Sequence, residues 1–318
     1  MNISTFPQNA SAQRGVALLV ALLVVALATV LIAALLDRGE LTAARTRNTL
    51  RTAQAEAYAQ GLEAYAARVL QQDAQNDSSM DTSNDVWNVP LPPTPVPGGE
   101  ITATMSDLDG RFNLNNLAPS CAQSATWQNK FVLLLQALKL DPNLGAAVRD
   151  WMSSDSAAGA NDAFYLSRPV PYRSSKNIFF HISELRLLRG VSGDTYAQLA
   201  PHVSALPPCT QVNVNTATVP VLMTLRVDMT QQMAQALWQQ GHASYHALAD
   251  MGGIVPEFRN APPDCDSACY GVTSSYFLAR GQITLDGLPF VFYSLLDRLQ
   301  GGADGGIHVI QRTRGEDG

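Results

Sequence analysis

Lysine is scarce in this chain, and basic residues never cluster. Three of the 21 basic residues are lysines, no group of five or more Arg and Lys occurs, and the formal net charge is −6. Proteins that bind nucleic acid through its phosphates need a basic surface. The overall charge therefore gives no support to nucleic-acid binding.

The motifs of common enzyme classes are also missing. The sequence has no G-x-S-x-G elbow, no phosphate-binding glycine loop and no H-E-x-x-H. His242 and His246 have i,i+4 spacing, but no Glu lies between them and no third ligand accompanies them. The other histidines, His181, His202 and His308, are scattered and are interpreted as structural or surface residues. We expect a protein that is not an enzyme.

An apolar segment near the N-terminus dominates what is present. Residues 16–36 carry no charge, and Thr29 is their polar exception. At about 1.5 Å per residue the segment covers about 31 Å, the thickness of a bilayer hydrocarbon core. A secretory signal has a shorter apolar region, of about 7 to 15 residues, and a small-x-small cleavage site behind it. The segment is therefore predicted to be a retained membrane anchor.

The flanking charges and the cysteines disagree about orientation. Arg38, Arg45, Arg47 and Arg51 follow the anchor and Arg14 precedes it, so the positive-inside rule alone places the main domain in the cytoplasm. An even number of cysteines behind an export-directed N-terminus predicts disulfides and an oxidising compartment. The cysteines carry more weight, because long domains can be translocated despite flanking charge.

Four cysteines, Cys121, Cys209, Cys265 and Cys269, allow three connectivities. Spacing does not decide among them; we favour Cys265 with Cys269 in one loop and Cys121 with Cys209. A zinc site is the weaker alternative, because Cys265-x3-Cys269 has no second pair of ligands near it.

The helical pattern continues beyond the anchor through residues 37–75. Apolar residues such as Leu41, Leu50, Leu62 and Val69 recur at helical intervals in Ala-, Gln- and Glu-rich sequence without proline. A plain helical stalk does not need an apolar stripe. We therefore expect this helix to pack against a domain or against copies of itself.

The polar leader ending in Gly15, the apolar helix from Val16 and its amphipathic extension resemble the type IV pilin and type II secretion pseudopilin families. The resemblance implies that prepilin peptidase removes residues 1–15 by cutting between Gly15 and Val16, and that Val16 is then N-methylated. Most members carry Glu at the fifth mature position, where it can meet the N-terminal amine of a neighbouring subunit. Here that position is Val20. This absence and the large size resemble the K family of minor pseudopilins.

The resemblance to the K family also implies location and partners. It implies a single-pass protein of the Gram-negative inner membrane with its main domain in the periplasm. It implies a place at the tip of a short pseudopilus with minor pseudopilins I and J, beside the major pseudopilin, in contact with exported substrate.

The rest of the chain predicts an α+β fold. A proline-rich linker follows residue 76, two strands flank a turn at Asp109-Gly110, a helical block covers about 127–251, and three strands end the chain. We expect five strands in one antiparallel sheet on the long N-terminal helix, with the helical block inserted between the second and third strands. The predicted boundaries are 76–118 for the linker and first strands, 119–260 for the helical domain and 261–318 for the disulfide loop and last strands. This arrangement resembles the K pseudopilin fold, as do "DLDGRFNLNNL", "PYRSSKNIFFHISELRLLRG" and "VNVNTATVPVL".

A calcium site is predicted in "DWMSSDSAAGANDAFY". Asp150, Asp155, Asn161 and Asp162 place oxygen ligands on a Gly/Ala/Ser loop, which suits Ca²⁺. The K family is associated with calcium in its helical domain, and the alternative is a solvated polar loop without metal. For Asp107, Asp109 and Asn113, a hairpin is favoured over a calcium loop, because a later acidic ligand is missing.

A rival hypothesis comes from "VNVNTATVPVLMTL", which resembles the start of helix-hairpin-helix modules, including those of competence-type DNA receptors. Such modules contact DNA phosphates through a glycine-rich hairpin. After Leu225 the chain has no such glycine, and Asp228 adds negative charge. A structural role in the helical block is therefore favoured over DNA binding.

Overall fold

The computed structural model describes residues 10–76, 79–153, 159–259, 265–298 and 306–315. Its contacts divide the chain into two compact units, Met1–Ala57 and Tyr58–Gly318. Helix α1, Ala10–Asn76, begins in the first unit and ends in the second. The absence of proline and the high Ala and Leu content favour one uninterrupted helix.

Short helices and strands make up the remainder of the second unit. The helices are α2 Ser124–Ala137, α3 Leu144–Met152, α4 Gly159–Leu166, α5 Gly193–Leu199, α6 Val219–Leu222, α7 Gln231–Trp238, α8 Met251–Ile254 and α9 Asp266–Cys269. The strands are β1 Leu91–Val96, β2 Gly99–Asp107, β3 Phe112–Asn113, β4 Val203–Ser204, β5 Val212–Asn213, β6 Tyr270–Gly271, β7 Tyr276–Leu285, β8 Leu288–Arg298 and β9 Ile307–Arg314. Short 3-10 helices include Val86–Asn88, Leu114–Leu117 and Ile182–Leu187.

Five strands form one antiparallel sheet in the order β1-β2-β7-β8-β9. The chain leaves the sheet after β2 and returns at β7. The segment between them, residues 112–271, is called the insert below and carries helices α2 to α9. The predicted α+β architecture, with a helical block between the second and third strands of the sheet, is confirmed.

The C-terminal part of α1, which contains Ala66 and Leu70, packs on one face of this sheet. Ala66 and Leu70 share a buried cluster with Trp87, Phe277 and Leu296. Because the apolar residues of α1 recur at helical spacing, they lie on one face and can cover the alternate residues that β7 and β8 turn toward it. The apolar stripe of residues 37–75 led us to expect that this helix packs against a domain or against copies of itself, and its C-terminal part does pack against the sheet.

Polar contacts add to this packing. Glu63 on α1 accepts hydrogen bonds from Arg312 of β9, at 2.7 Å from Nε, and from Ser294 of β8, at 2.6 Å from Oγ. At Gly281 of β7 a Cβ atom would lie 2.7 Å from Leu62 Cδ1, so the glycine permits the close approach of helix and strand.

The first correction concerns the proline-rich stretch, which is not a linker throughout. Strand β1 runs through it and pairs with β2, with Thr94 opposite Ile101 and Val96 opposite Gly99. Within the described residues β1 is an edge strand, and an edge strand tolerates proline because one side of it needs no hydrogen-bond donors. The sheet has the five strands that were predicted, but one of them is β1, in place of the strand expected after Asp109-Gly110.

The second correction concerns the strand predicted after Asp109-Gly110. Only Phe112 and Asn113 are extended there, and they pair in parallel with β4 inside the insert. Phe112 is fully buried and contacts Trp127 and Phe131 of α2, with ring centroids 5.3 Å apart in both pairs. Residues 112–118, which were grouped with the first strands, therefore belong to the core of the insert.

Candidate functional site: the exposed helix segment and the buried junction of sheet and insert

The apolar segment of α1 is exposed in the first unit. Every residue of 16–36 has an exposed side chain, for example Val20 at 53% and Leu27 at 70%. Within the described residues, Gly15–Asn76 is the one helix long and apolar enough to cross a membrane, and its most apolar window has a mean hydropathy of 3.1. Thr29 donates its hydroxyl to the Val25 carbonyl at 2.5 Å, which satisfies this polar group within the helix. The segment has the properties of a membrane anchor.

Gly15 and Val16, the residues of the predicted cleavage site, lie within α1. A Cβ atom built on Gly15 would meet no described heavy atom within 4 Å. Packing against the described part of the chain therefore does not explain a glycine at this position. Val20 lies one turn further along the same exposed segment.

A buried polar junction connects the sheet to the insert. We call it the polar joint: Asp107, Asp109, Asn213, Thr216 and Ser274. Asp107, the last residue of β2, accepts hydrogen bonds from Ser274 Oγ at 2.6 Å and from the Thr216 hydroxyl. Asn213 of β5 donates to Ser274 Oγ at 2.7 Å. The joint therefore holds the end of β2, the start of β7 and the insert together.

Asp109 extends the polar joint to the backbone. Its Oδ2 accepts from the backbone N–H groups of Ser275, at 2.5 Å, and Tyr276, at 2.8 Å. Its carbonyl accepts from the N–H of Asn213 at 3.0 Å. Burial, followed by the negative charge of Asp107, raises the pKa of Asp109 well above its ordinary value, and burial also raises the pKa of Asp107. The favoured interpretation of these residues as a simple hairpin turn missed this role.

A second acidic group lies where the end of α1 meets the sheet. We call it the acidic cluster: Asp73, Asp81 and Asp85, each with a carboxylate oxygen within 4.8 Å of the others. Arg298 of β8 donates to Asp81 Oδ2 at 2.5 Å and contacts Asp73 Oδ2 at 3.4 Å. Burial, then the charges of Asp85 and Asp81, raise the pKa of Asp73 to about 7. One guanidinium therefore does not neutralise three carboxylates.

The residues of the predicted calcium loop are only partly described. Asp150 lies near the C-terminal end of α3 and is half-buried. Asp162 of α4 accepts hydrogen bonds from Ser174, at 3.1 Å from Oγ, and lies 3.7 Å from Lys176 Nζ. Asp155 and the side chain of Asn161 lie outside the described residues. The loop site stays a prediction.

The four cysteines form two disulfides, Cys121–Cys209 and Cys265–Cys269. The first closes 88 residues of the insert and the second closes a loop of four. The predicted presence of disulfides is confirmed, and the pairs are those that the sequence analysis favoured.

The segment that resembles a helix-hairpin-helix start serves the structure of the insert. Asn215 pairs with the backbone of Tyr245, accepting from its N–H at 2.7 Å and donating to its carbonyl at 3.0 Å. After Leu225, Arg226 and Asp228 form an ion pair at 2.6 Å, so this arginine is engaged by a carboxylate. These contacts favour the structural role over DNA binding.

An asparagine side chain that pairs with the N–H and carbonyl of a distant residue occurs twice in the insert, and the sequence analysis missed this repeat. Asn115 pairs with the backbone of Phe179 as Asn215 pairs with Tyr245, at 2.8 Å from N–H and 2.9 Å to the carbonyl. In both copies the asparagine two residues earlier, Asn113 or Asn213, accepts from the N–H of the second asparagine at 3.0 Å. The signal was present as N-x-N after an apolar residue, in "FNLN" and "VNVN".

The chain is similar to known proteins over nearly its whole length. The family model described as type II secretion system (T2SS), protein K, matches residues 110–208. Type II secretion system protein K of Pectobacterium carotovorum subsp. carotovorum is 35% identical, over 96% of this chain and 97% of its own length. The protein of the same name from Pseudomonas aeruginosa is 32% identical, over 96% and 94%. This chain belongs to the type II secretion system protein K family.

A solved structure agrees with this family at the level of fold. A chain of the GspK-GspI-GspJ complex from the type 2 secretion system of enterotoxigenic Escherichia coli has a TM-score of 0.72 with this chain. The match covers 86% of this chain and 99% of that one, at 24% identity. The protein K family member described here therefore has the fold of a pseudopilin with a helical insert.

Proposed function

We propose that this chain is the minor pseudopilin at the tip of the type II secretion pseudopilus, where it assembles with minor pseudopilins I and J. The observation that carries the proposal is a protein K fold whose helix presents an exposed apolar segment without a carboxylate at Val20. In pseudopilins the usual Glu at this position recruits a neighbouring subunit. A subunit without it has one attraction fewer, which suits the end of a filament.

The insert supports the same position. It leaves the sheet after β2 and returns at β7, so its bulk is fixed to the middle of the sheet. The polar joint and the Cys121–Cys209 disulfide hold it in place. A bulky, fixed domain would crowd a subunit added above it, and assembly would stop there.

The proposal includes processing and location. Prepilin peptidase would cut between Gly15 and Val16, and Val16 would become the methylated N-terminus. Residues 16–36 would then anchor the protein in the inner membrane, 37–75 would continue into the periplasm, and the sheet and insert would fold there. The two disulfides support an oxidising compartment. The helical domain would correspond to the insert, residues 112–271, which is wider than the predicted 119–260.

The chain would work by assembly and not by catalysis. The buried carboxylates of the polar joint accept hydrogen bonds from the protein's own hydroxyl and backbone groups, which is a structural arrangement. The major pseudopilin and exported proteins would be further contacts of the tip. Calcium would be held by oxygen ligands of Asp150, Asp155, Asn161 and Asp162, between the end of α3 and the start of α4.

Co-purification tests the proposed function. The full chain, carrying an affinity tag at its C-terminus, is co-expressed with pseudopilins I and J of the same genome and extracted in mild detergent. The proposal predicts a complex that contains all three in equal amounts. Recovery of the tagged chain alone, while I and J remain soluble and folded, would contradict it.

A further inference from the structure

We propose that the acidic cluster of Asp73, Asp81 and Asp85 is a binding site for a divalent cation of the Ca²⁺ type, at the point where helix α1 ends on the sheet. This site lies outside the insert. It is separate from the calcium loop predicted around Asp155, and it does not depend on the proposed tip position.

The ligand chemistry of the acidic cluster suits Ca²⁺. Three carboxylates approach within 4.8 Å of one another, and Ca²⁺ takes oxygen ligands in an adaptable arrangement. Asp73 also lies in the last turn of α1, where no basic residue is present. The last four carbonyl groups of a helix lack intrahelical partners and carry its negative partial charge. Oxygen ligands and negative charge therefore coincide.

An unsatisfied buried oxygen gives independent support. Asp81 is 1% exposed, and its Oδ2 accepts from Arg298 and from the Ser274 N–H. Its Oδ1 is buried, and no residue in the described part of the chain donates a hydrogen bond to it. A buried carboxylate oxygen without a partner is costly. A cation at the cluster would satisfy it.

The positive charge already present is too small to replace the cation. Arg298 is the guanidinium that contacts the cluster, and it binds Asp81 more closely than Asp73, at 2.5 Å against 3.4 Å. Asp85 accepts hydrogen bonds from the N–H and hydroxyl of Thr82, at 2.7 and 2.9 Å, and these neutral donors leave its charge in place. Oxygen ligands are therefore in excess at the cluster, with three carboxyl groups beside one contacting guanidinium.

Occupation of the site would tie three elements together. Asp73 belongs to α1, Asp85 precedes the Val86–Asn88 turn, and Asp81 holds Arg298 of β8 and the Ser274 backbone before β7. A bound cation would therefore clamp the end of the assembly helix to the sheet, and its loss would loosen that end.

Terbium luminescence provides a local test, because Tb³⁺ substitutes for Ca²⁺ and is sensitised by a nearby tryptophan. Trp87 lies two residues from Asp85, and its ring makes an edge-to-face contact with Phe277, with centroids 5.2 Å apart. The guanidinium of Arg298 lies over the same Phe277 ring at 5.0 Å. These contacts place Trp87 beside the cluster, whereas Trp151 lies next to Asp150 in the predicted calcium loop.

The full chain in detergent, stripped with chelator, is titrated with Tb³⁺ and then with Ca²⁺ as competitor. We expect sensitised Tb³⁺ luminescence that decreases when Ca²⁺ displaces Tb³⁺. The Trp87→Phe variant is expected to lack this luminescence. Asp85→Asn weakens Tb³⁺ binding by at least about tenfold, and the matched loop variant Asp155→Asn leaves this signal intact. Asp73→Asn serves as a second cluster variant if Asp85→Asn fails to fold, as judged by circular dichroism.

The proposal is overturned if the Asn variants of the cluster bind Tb³⁺ as the unaltered chain does. It is equally overturned if Trp87→Phe leaves the signal unchanged, or if no Ca²⁺-displaceable signal arises from the folded chain.

Discussion

At the scale of single residues, buried carboxylates hold the sheet and the insert together. Asp107 and Asp109 sit at the end of β2, where sequence alone indicates only a turn. Ser274 is 167 residues from Asp107 along the chain, Tyr276 is 167 residues from Asp109, and Thr216 is 109 residues from Asp107. Such pairings depend on the completed fold, so local sequence patterns could not predict them.

The first prediction concerns pH and Asp109. Its raised pKa means that the folded state binds the proton more tightly than the unfolded state does. The resulting contribution to stability is present below the unfolded pKa, about 4, and is lost as pH rises through the folded pKa. Asn does not titrate, so the Asp109→Asn variant lacks this pH-dependent contribution. We therefore expect the free energy of unfolding of the variant to fall less steeply above about pH 4 than that of the unaltered chain. Urea unfolding at a series of pH values measures both slopes; parallel curves would refute the assignment.

The second prediction concerns Gly110, next to Asp109. A Cβ atom there would lie 2.6 Å from both the carbonyl oxygen and the hydroxyl of Thr216, which donates to Asp107. Backbone would have to move, so Gly110→Ala is expected to destabilise the protein by about 1–3 kcal/mol in urea unfolding. The control is Gly253→Ala in α8, where a Cβ meets nothing within 4 Å; equal losses in both variants would contradict this account.

The third prediction concerns Gly15. Because a Cβ there meets no described heavy atom, Gly15→Ala is expected to leave the helix intact but to abolish removal of the leader. Mass spectrometry of the membrane-extracted chain measures processing. Gly39→Ala is the matched control, since Gly39 also lies in α1 with nothing within 4 Å of an added Cβ. Normal cleavage of the Gly15 variant would show that recognition does not depend on the glycine.

At the scale of elements, sequence periodicity identified the long helix and most of the sheet. Helix α1 and strands β7 to β9 follow their apolar patterns, because their burial depends on the face they present. Strand β1 was missed because its prolines signal a linker, and only its place at a sheet edge makes them acceptable. Strand β3 was overestimated because Phe112 and Leu114 bury in the insert and not in the sheet.

The fourth prediction compares the two disulfides that fasten these elements. In the chain-entropy description a closure of 88 residues destabilises the unfolded state by about 4–5 kcal/mol and one of four residues by about 2 kcal/mol. We therefore expect Cys121→Ala/Cys209→Ala to lower the free energy of unfolding by about 2–3 kcal/mol more than Cys265→Ala/Cys269→Ala. Denaturant unfolding of both double variants measures the difference; a larger loss from the Cys265–Cys269 pair would contradict the expectation.

At the scale of the whole molecule, the architecture combines a long helix that carries an exposed apolar segment with a sheet that holds a large helical insert. The exposed segment 16–36 offers an apolar surface, and the insert is fixed to the sheet by the polar joint and a disulfide. The family and the fold class could be predicted from the sequence, which also shows that position 20 is Val and not Glu. The polar joint and the acidic cluster were not, because both join residues that only the fold brings together.

The position of the protein in the assembled filament tests the central claim most directly. Gold particles attached to a tag in the insert are located on purified pseudopili by electron microscopy, for the unaltered chain and for Val20→Glu. The account predicts label at one end of each filament for the unaltered chain, and some label along the length for Val20→Glu, because the carboxylate restores recruitment. Label distributed along filaments of the unaltered chain would contradict the tip position, and a Val20→Glu variant confined to the tip would contradict the role given to the missing carboxylate.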